Sequence, residues 1–153
     1  MSLPTSSHAY GIGLIALIVG MSASVVFYTA FYLPESLAKP SVSEKILHPE
    51  KDFLINIVKG AVIEGNENYV PNKSTVELEF NNKVIWQNQD DTAHTVTPDV
   101  PYSDGYSGEF GSSGVIKPGD TFEFLFTEPH EIAYHCQPHP WMTGKITIEV
   151  SRF

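Results

Sequence analysis

The chain has 153 residues, 42% of them hydrophobic, with 18 acidic and 9 basic side chains and a net charge of −9; that length suits one compact domain plus an appendage. Every Lys, Arg, Asp and Glu lies from Glu35 onward, so the charged part is acidic, which argues against nucleic-acid binding and leaves a solvated surface or docking to a basic partner. A single cysteine rules out an intramolecular disulfide and leaves a thiol that is free or metal-bound.

Residues 1–9 read as a short N-terminal tail. From Tyr10 to Leu33 the chain carries no formal charge for 24 residues, long enough as a helix to cross a hydrocarbon core of about 30 Å. Tyr10 at one end and Phe27, Tyr28, Phe31 and Tyr32 at the other suit the two interfaces, and Ala16, Gly20 and Ser24 form a small-residue stripe. Residues 10–33 are therefore expected to be a transmembrane helix. The rival is a cleaved signal peptide, which lacks support because no basic n-region precedes the run and the apolar stretch is longer than the usual h-region. The flanking Lys39, Lys45 and Lys51 vote for a cytoplasmic C-terminal part, but that rule weakens for segments longer than about 60 residues. The metal chemistry below favours the extracytoplasmic face of the cell membrane.

Residues 34–51, rich in Pro, Ser, Lys and Glu, read as a linker. From residue 52 to 153, short β-branched and aromatic runs alternate with turn residues, as in an antiparallel sandwich. Strands are expected at Phe53–Val58, Ser74–Phe80, Lys83–Asn88, Thr95–Pro98, Thr121–Phe126, Ile132–Cys136 and Gly144–Val150. The period-two alternation is clearest in Lys145-Ile-Thr-Ile-Glu-Val. Between Asp99 and Gly114 a Gly, Ser and Tyr-rich stretch reads as a long surface loop, either a flexible connection or, through Tyr102, Tyr106 and Phe110, a docking surface.

The chemistry concentrates at Tyr134-His-Cys-Gln-Pro-His-Pro-Trp-Met-Thr-Gly-Lys. Cys136, His139 and Met142 offer a thiolate, an imidazole and a thioether. With a second imidazole from His94 they make the His₂Cys plus weak axial Met set that suits copper in electron-transfer sites. Each residue alone has a plain structural role. A helical reading of the spacing fails because Pro138 and Pro140 each remove a backbone donor; the ligands are expected on a tight, restrained loop after a strand. Zinc is disfavoured, since a thioether is a poor zinc ligand and no water position is evident.

The span from about Lys73 to Val150 resembles the cupredoxin family (plastocyanin/azurin-like type 1 blue copper proteins). The Cys136-x-x-His139-x-x-Met142 spacing, with Pro140 after the second histidine, is most similar to the amicyanin type. Gly114-Val-Ile-Lys-Pro-Gly-Asp and Thr127-Glu-Pro are similar to family segments too. The resemblance implies an all-β, eight-stranded Greek-key sandwich following the transmembrane helix. It also implies one type 1 copper ion, Cu(I)/Cu(II), held by His94, Cys136 and His139, with Met142 as the long axial ligand. Two positions depart from the pattern. Thr95 stands where many relatives carry an Asn that ties the ligand loops together, and His130 takes a turn position where Gly is common.

No His-x-His pair accompanies the six histidines, and Gln137 follows Cys136, so a trinuclear copper cluster has no ligands and catalysis by this chain is not expected. A binuclear centre needs two cysteines. The expected function is a membrane-anchored electron carrier working between a redox donor and acceptor, one of them a membrane oxidase or similar complex, with transfer at the His139 edge beside Pro140 and Trp141. The alternative is a copper-binding accessory subunit or copper carrier.

Overall fold

The computed structural model describes residues 7–38, 41–111 and 114–151. Most of the expected N-terminal tail, residues 1–6, and the flanking Lys39 lie outside the described residues. The chain divides into two compact units, Met1–Lys39 and Pro40–Phe153.

In the first unit, helix α1 (Ser7–Phe27) continues through a π-helical turn at Tyr28–Tyr32 into α2 (Leu33–Ser36). The stretch Tyr10–Ser36 is apolar enough to cross a membrane and none of it is buried; its 27 residues make about 40 Å of helix. Two of its hydroxyls bond within the helix, Ser24 Oγ donating to the Gly20 carbonyl at 2.8 Å and Thr29 Oγ1 to the Val25 carbonyl at 2.9 Å, as suits an apolar environment. Stacked pairs Phe27–Phe31 and Tyr28–Tyr32 cover one end.

The second unit is a sandwich of two four-stranded sheets. One has the order β2-β1-β4-β8, from β1 (Asp52–Ile57), β2 (Tyr69–Val70), β4 (Lys83–Asn88) and β8 (Thr121–Leu125). The other has the order β3-β10-β9-β5, from β3 (Lys73–Glu77), β5 (Thr97–Pro98), β9 (His130–Cys136) and β10 (His139–Glu149). The pairs β1–β4 and β3–β10 are parallel and the remainder antiparallel. Seven strands fall within a few residues of expectation. The short β2 was not expected, because two residues carry no readable period.

Alternation builds the core. Val84, Trp86 and Asn88 of β4, Ile132, Tyr134 and Cys136 of β9, and Met142, Ile146 and Ile148 of β10 point inward, all buried. Trp86 packs against Phe110, Phe122 and Tyr134 with ring centroids 5.4–5.8 Å apart, in the range where aromatic pairs add to burial. Gly144 pairs with Tyr134 in the ladder, and a Cβ there would lie 2.2 Å from the phenol carbon Cζ. Only glycine lets that ring cross the neighbouring strand.

Two stretches read from composition as connections are organised. Short α3 (Glu44–Leu47), capped by Ser43, packs Ile46 against the core. The fully buried Asn82 donates through Nδ2 to the Ile46 carbonyl at 2.9 Å and to that of Phe126 at 2.7 Å. The long loop contains a hairpin of β6 (Ser103–Asp104) and β7 (Gly108–Glu109). Buried Asp104 accepts bonds from the backbone N–H groups of Tyr106, Ser107 and Thr127 and from the Thr127 hydroxyl. Phe110 is buried among Trp86, Phe124 and Phe126. The docking reading of that loop therefore fails for Phe110: an aromatic in a Gly/Ser segment fills the core, which the composition of its neighbours hides.

Candidate metal centre

At one end of the sandwich three side chains from two chain segments converge. Cys136 ends β9 with its side chain on the buried face, and the two-residue turn Gln137-Pro138 brings His139 opposite it as the first residue of β10. The register then shifts between His139 and Thr143, so the segment expected as a loop is a bulged strand start. This irregularity follows from Pro138 and Pro140, which cannot donate to a ladder. His94 lies between β4 and β5, held by a two-way backbone bridge to Ile116 at 3.1 and 2.8 Å.

The His94 Nδ1 is 3.6 Å from the Cys136 Sγ, the His139 Nδ1 is 3.5 Å from it, and the two ring nitrogens are 3.2 Å apart. A triangle of these sides has its centre about 2 Å from each corner, a bond length that nitrogen and sulfur make to a transition metal. Among the described residues these three form a group able to hold an ion. Met142, expected as a fourth ligand, is fully buried on β10 three residues beyond His139. The donor set is soft to borderline with no carboxylate in it, which fits copper.

The cage is braced. The Thr95 N–H donates to the Cys136 Sγ at 3.4 Å, and the Thr95 Oγ1 accepts from the Gln137 N–H at 2.8 Å. Thr95 thus ties the His94 segment to the Cys136 turn, although its side chain is shorter than the amide common at that position. Its carbonyl in turn accepts from the buried Tyr69 hydroxyl at 2.6 Å. Asn88 Nδ2 donates to the carbonyls of Thr92 and Ile116 at 2.8 and 2.9 Å, fixing both sides of His94.

Charge is distributed to match. Burial pushes the Cys136 thiol up, but the His94 ring and the Thr95 N–H stabilise the thiolate and hold its pKa below the ordinary value. Burial works against an imidazolium at His94, and its bonds to Cys136 and Asp90 outweigh that and raise its pKa. His139 is held below the usual histidine range, first by burial and then by the charge of His94.

His94 is fully buried, whereas His139 is half-buried and flanked by exposed Pro138, Pro140 and Trp141. Trp141 is 37% exposed, and its indole is tilted against the His139 ring at 5.4 Å between centroids, a surface aromatic rather than a core one. His130, which takes the turn position noted in the sequence, is exposed, begins β9 and stacks on Tyr102 at 4.6 Å. Sequence reasoning missed Asp90, which meets the far nitrogen of His94 at 2.9 Å. Its position four residues before His94 was the available signal, but Asp90-Asp91 reads as a turn.

A model of the copper-binding proteins of the plastocyanin/azurin family matches residues 58–149. The chain is similar to amicyanin of Paracoccus denitrificans, 31% identical over 75 residues that cover 48% of this chain and 54% of that protein. The match thus spans about half the length of this curated relative. Among solved structures it is similar to a purple cupredoxin from Nitrosopumilus maritimus, with 27% identity, a TM-score of 0.51, and coverage of 63% of this chain and 99% of that one. A copper-containing nitrite reductase from Thermus scotoductus shares the fold at 19% identity and a TM-score of 0.50, over 72% of this chain and 27% of its own.

Proposed function

We propose, from the premise that this chain belongs to the plastocyanin/azurin family of copper-binding proteins, that it is a membrane-tethered type 1 copper protein. It passes single electrons between protein partners on the extracytoplasmic face and catalyses no reaction of its own. The observation that carries this reading is the convergence of Cys136 Sγ with the Nδ1 atoms of His94 and His139, all within 4.8 Å of one another. These three would hold the ion, with Met142 as the weak axial ligand. Copper, when bound there, supplies a one-electron Cu(I)/Cu(II) couple.

The protein's part is to keep that geometry the same in both oxidation states. Thr95, Asn88 and the His94–Ile116 bridge fix the buried side of the cage, and the two prolines restrain the other, so few atoms need to rearrange when the charge changes. His139 gives the shortest way out: its ring joins the cage to a surface edge among Pro138, Pro140 and Trp141, a small apolar patch on which a redox partner can exclude water. The acidic balance of the chain favours a basic rim on that partner. The exposed apolar helix Tyr10–Ser36 would hold the protein at the bilayer.

The test is the visible absorption and electron paramagnetic resonance of the full chain in detergent, loaded with Cu(II) and titrated with a mild reductant. An intense thiolate-to-copper band with narrow copper hyperfine splitting, bleached reversibly, is expected. A pale spectrum with square-planar parameters would overturn the electron-transfer reading in favour of copper delivery. Substituting Met142→Leu should keep copper and shift its potential, and an unchanged potential removes Met142 from the ligand set. The anchor is tested by the mass of the mature protein in membranes, since a cleaved signal would remove the segment.

A further inference from the structure

The Asp90 carboxylate is 4% exposed, with its Oδ2 2.9 Å from the Nε2 of the fully buried His94. Among the described residues its other hydrogen-bond partners are all donors. Oδ1 accepts from the N–H groups of Gly60 at 2.8 Å and Asp91 at 2.9 Å, and Oδ2 accepts from the N–H of Val62 at 3.3 Å. Its own N–H is held by Asn88 Oδ1 at 2.9 Å. Gly60 reaches it from the β1–β2 loop with φ of +84°, a conformation that favours glycine, and Asn66 Nδ2 caps the Gly60 carbonyl at 3.2 Å. A buried carboxylate surrounded by donors can accept from the imidazole and cannot donate to it. The proton of a neutral His94 ring therefore sits on Nε2, and the lone pair sits on Nδ1, which faces Cys136 and His139.

We propose that Asp90 is a positioning residue of the metal centre, fixing the tautomer and ring angle of His94 and, through its bonds to Gly60 and Val62, tying the β1–β2 loop to the copper potential. The proposal rests on the assignment of His94 as a ligand. A carboxylate behind a ligating imidazole makes the ring a better donor, which stabilises Cu(II) more than Cu(I). The loop it recruits carries exposed Ile63, and two hydrogen bonds in series, Val62 to Asp90 and Asp90 to His94, connect that loop to the ring.

The test compares the full chain with Asp90→Asn, whose amide places a donor on one side of the carboxyl position. In the metal-free wild-type protein, at a pH where the imidazole is neutral, ¹⁵N chemical shifts of His94 should show a protonated, slowly exchanging Nε2–H and a bare Nδ1. A protonated Nδ1 would overturn the proposal, and this measurement does not depend on the variant folding or on copper. In copper-loaded protein Asp90→Asn should weaken Cu(II) relative to Cu(I) on the order of tenfold, a rise in potential of about 59 mV for one electron. A folded variant with an unaltered potential and unaltered His94 shifts would overturn it while leaving the electron-transfer reading intact. A wild-type protein without the blue spectrum would instead overturn that reading, with the nitrogen shifts still reporting on Asp90.

Discussion

The two ends of the sandwich both bury polar side chains, for opposite purposes. At the metal end Asn88 holds the Asp90 N–H and Asp90 meets the His94 ring, while Thr95 separately bonds the Gln137 N–H, and these contacts fix side-chain directions around three donors. At the other end Asn82 spends its amide on two backbone carbonyls, those of Ile46 and Phe126, and holds α3 against the core. The same chemistry sets a geometry in one place and stability in the other. Substitutions at the first end should therefore be read in spectra and potentials, and those at the second in melting curves.

The largest separation of the two readouts should come from Cys136→Ala. It removes the thiolate and should abolish the intense visible band while the metal-free protein stays folded by far-ultraviolet circular dichroism; a blue variant would break the comparison at its root. Between the ends, Gly144→Ala drives a Cβ into Tyr134 and should cost about 3 kcal/mol of unfolding free energy, measured in denaturant. A melt like that of the wild type would mean that the Tyr134 ring can move aside. Asn82→Ala takes the amide from the buried Phe126 carbonyl and the partly buried Ile46 carbonyl and should cost about 1–3 kcal/mol without moving the copper spectrum. A spectral change there would show that the two ends communicate.

A smaller effect is expected from acid. Burial pushes the Asp104 carboxyl up, but the N–H groups of Ser107 and Thr127, the Thr127 hydroxyl and the Tyr106 N–H hold it below the ordinary carboxylate value. A carboxyl with a lower pKa folded than unfolded contributes stability that is fully present above the unfolded value of about 4 and is lost as pH falls through the folded one. Asp104→Asn should therefore lower stability at neutral pH and flatten its fall as pH drops below about 4. An acid limb as steep as the wild type's would assign that fall to other carboxylates.

Periodicity made the long strands legible, because Lys145–Val150 and Lys83–Asn88 write their buried faces directly into the alternation. The candidate metal group stands out for a different reason: thiolate, imidazole and thioether at three-residue spacing, interleaved with two prolines, have few other uses together, and the structure brings Cys136 and His139 together with His94. What stayed hidden were residues whose role depends on partners far along the chain. Asp104 meets Thr127 and Asp90 meets Gly60, yet each reads locally as a turn acid. Thr95 looked like a weakened tie, and only its reach to Gln137 shows that a hydroxyl can take the place of an amide. Phe110 sits in a glycine-rich stretch, where composition speaks for exposure and packing decides otherwise.

The docking of α3 by Asn82 bears on how the copper-carrying unit would survive proteolysis. Asn82 immediately precedes β4 and Asn88 ends it, so the strand puts about 20 Å between the point where α3 joins and the bonds that brace His94. A cut before Ser43 would free a unit that keeps Ile46, its amide clamp and the whole metal end. A cut after Leu47 would strip Ile46 from the core and leave Asn82 with one partner, so the released piece would melt earlier even though every proposed copper ligand remained in it.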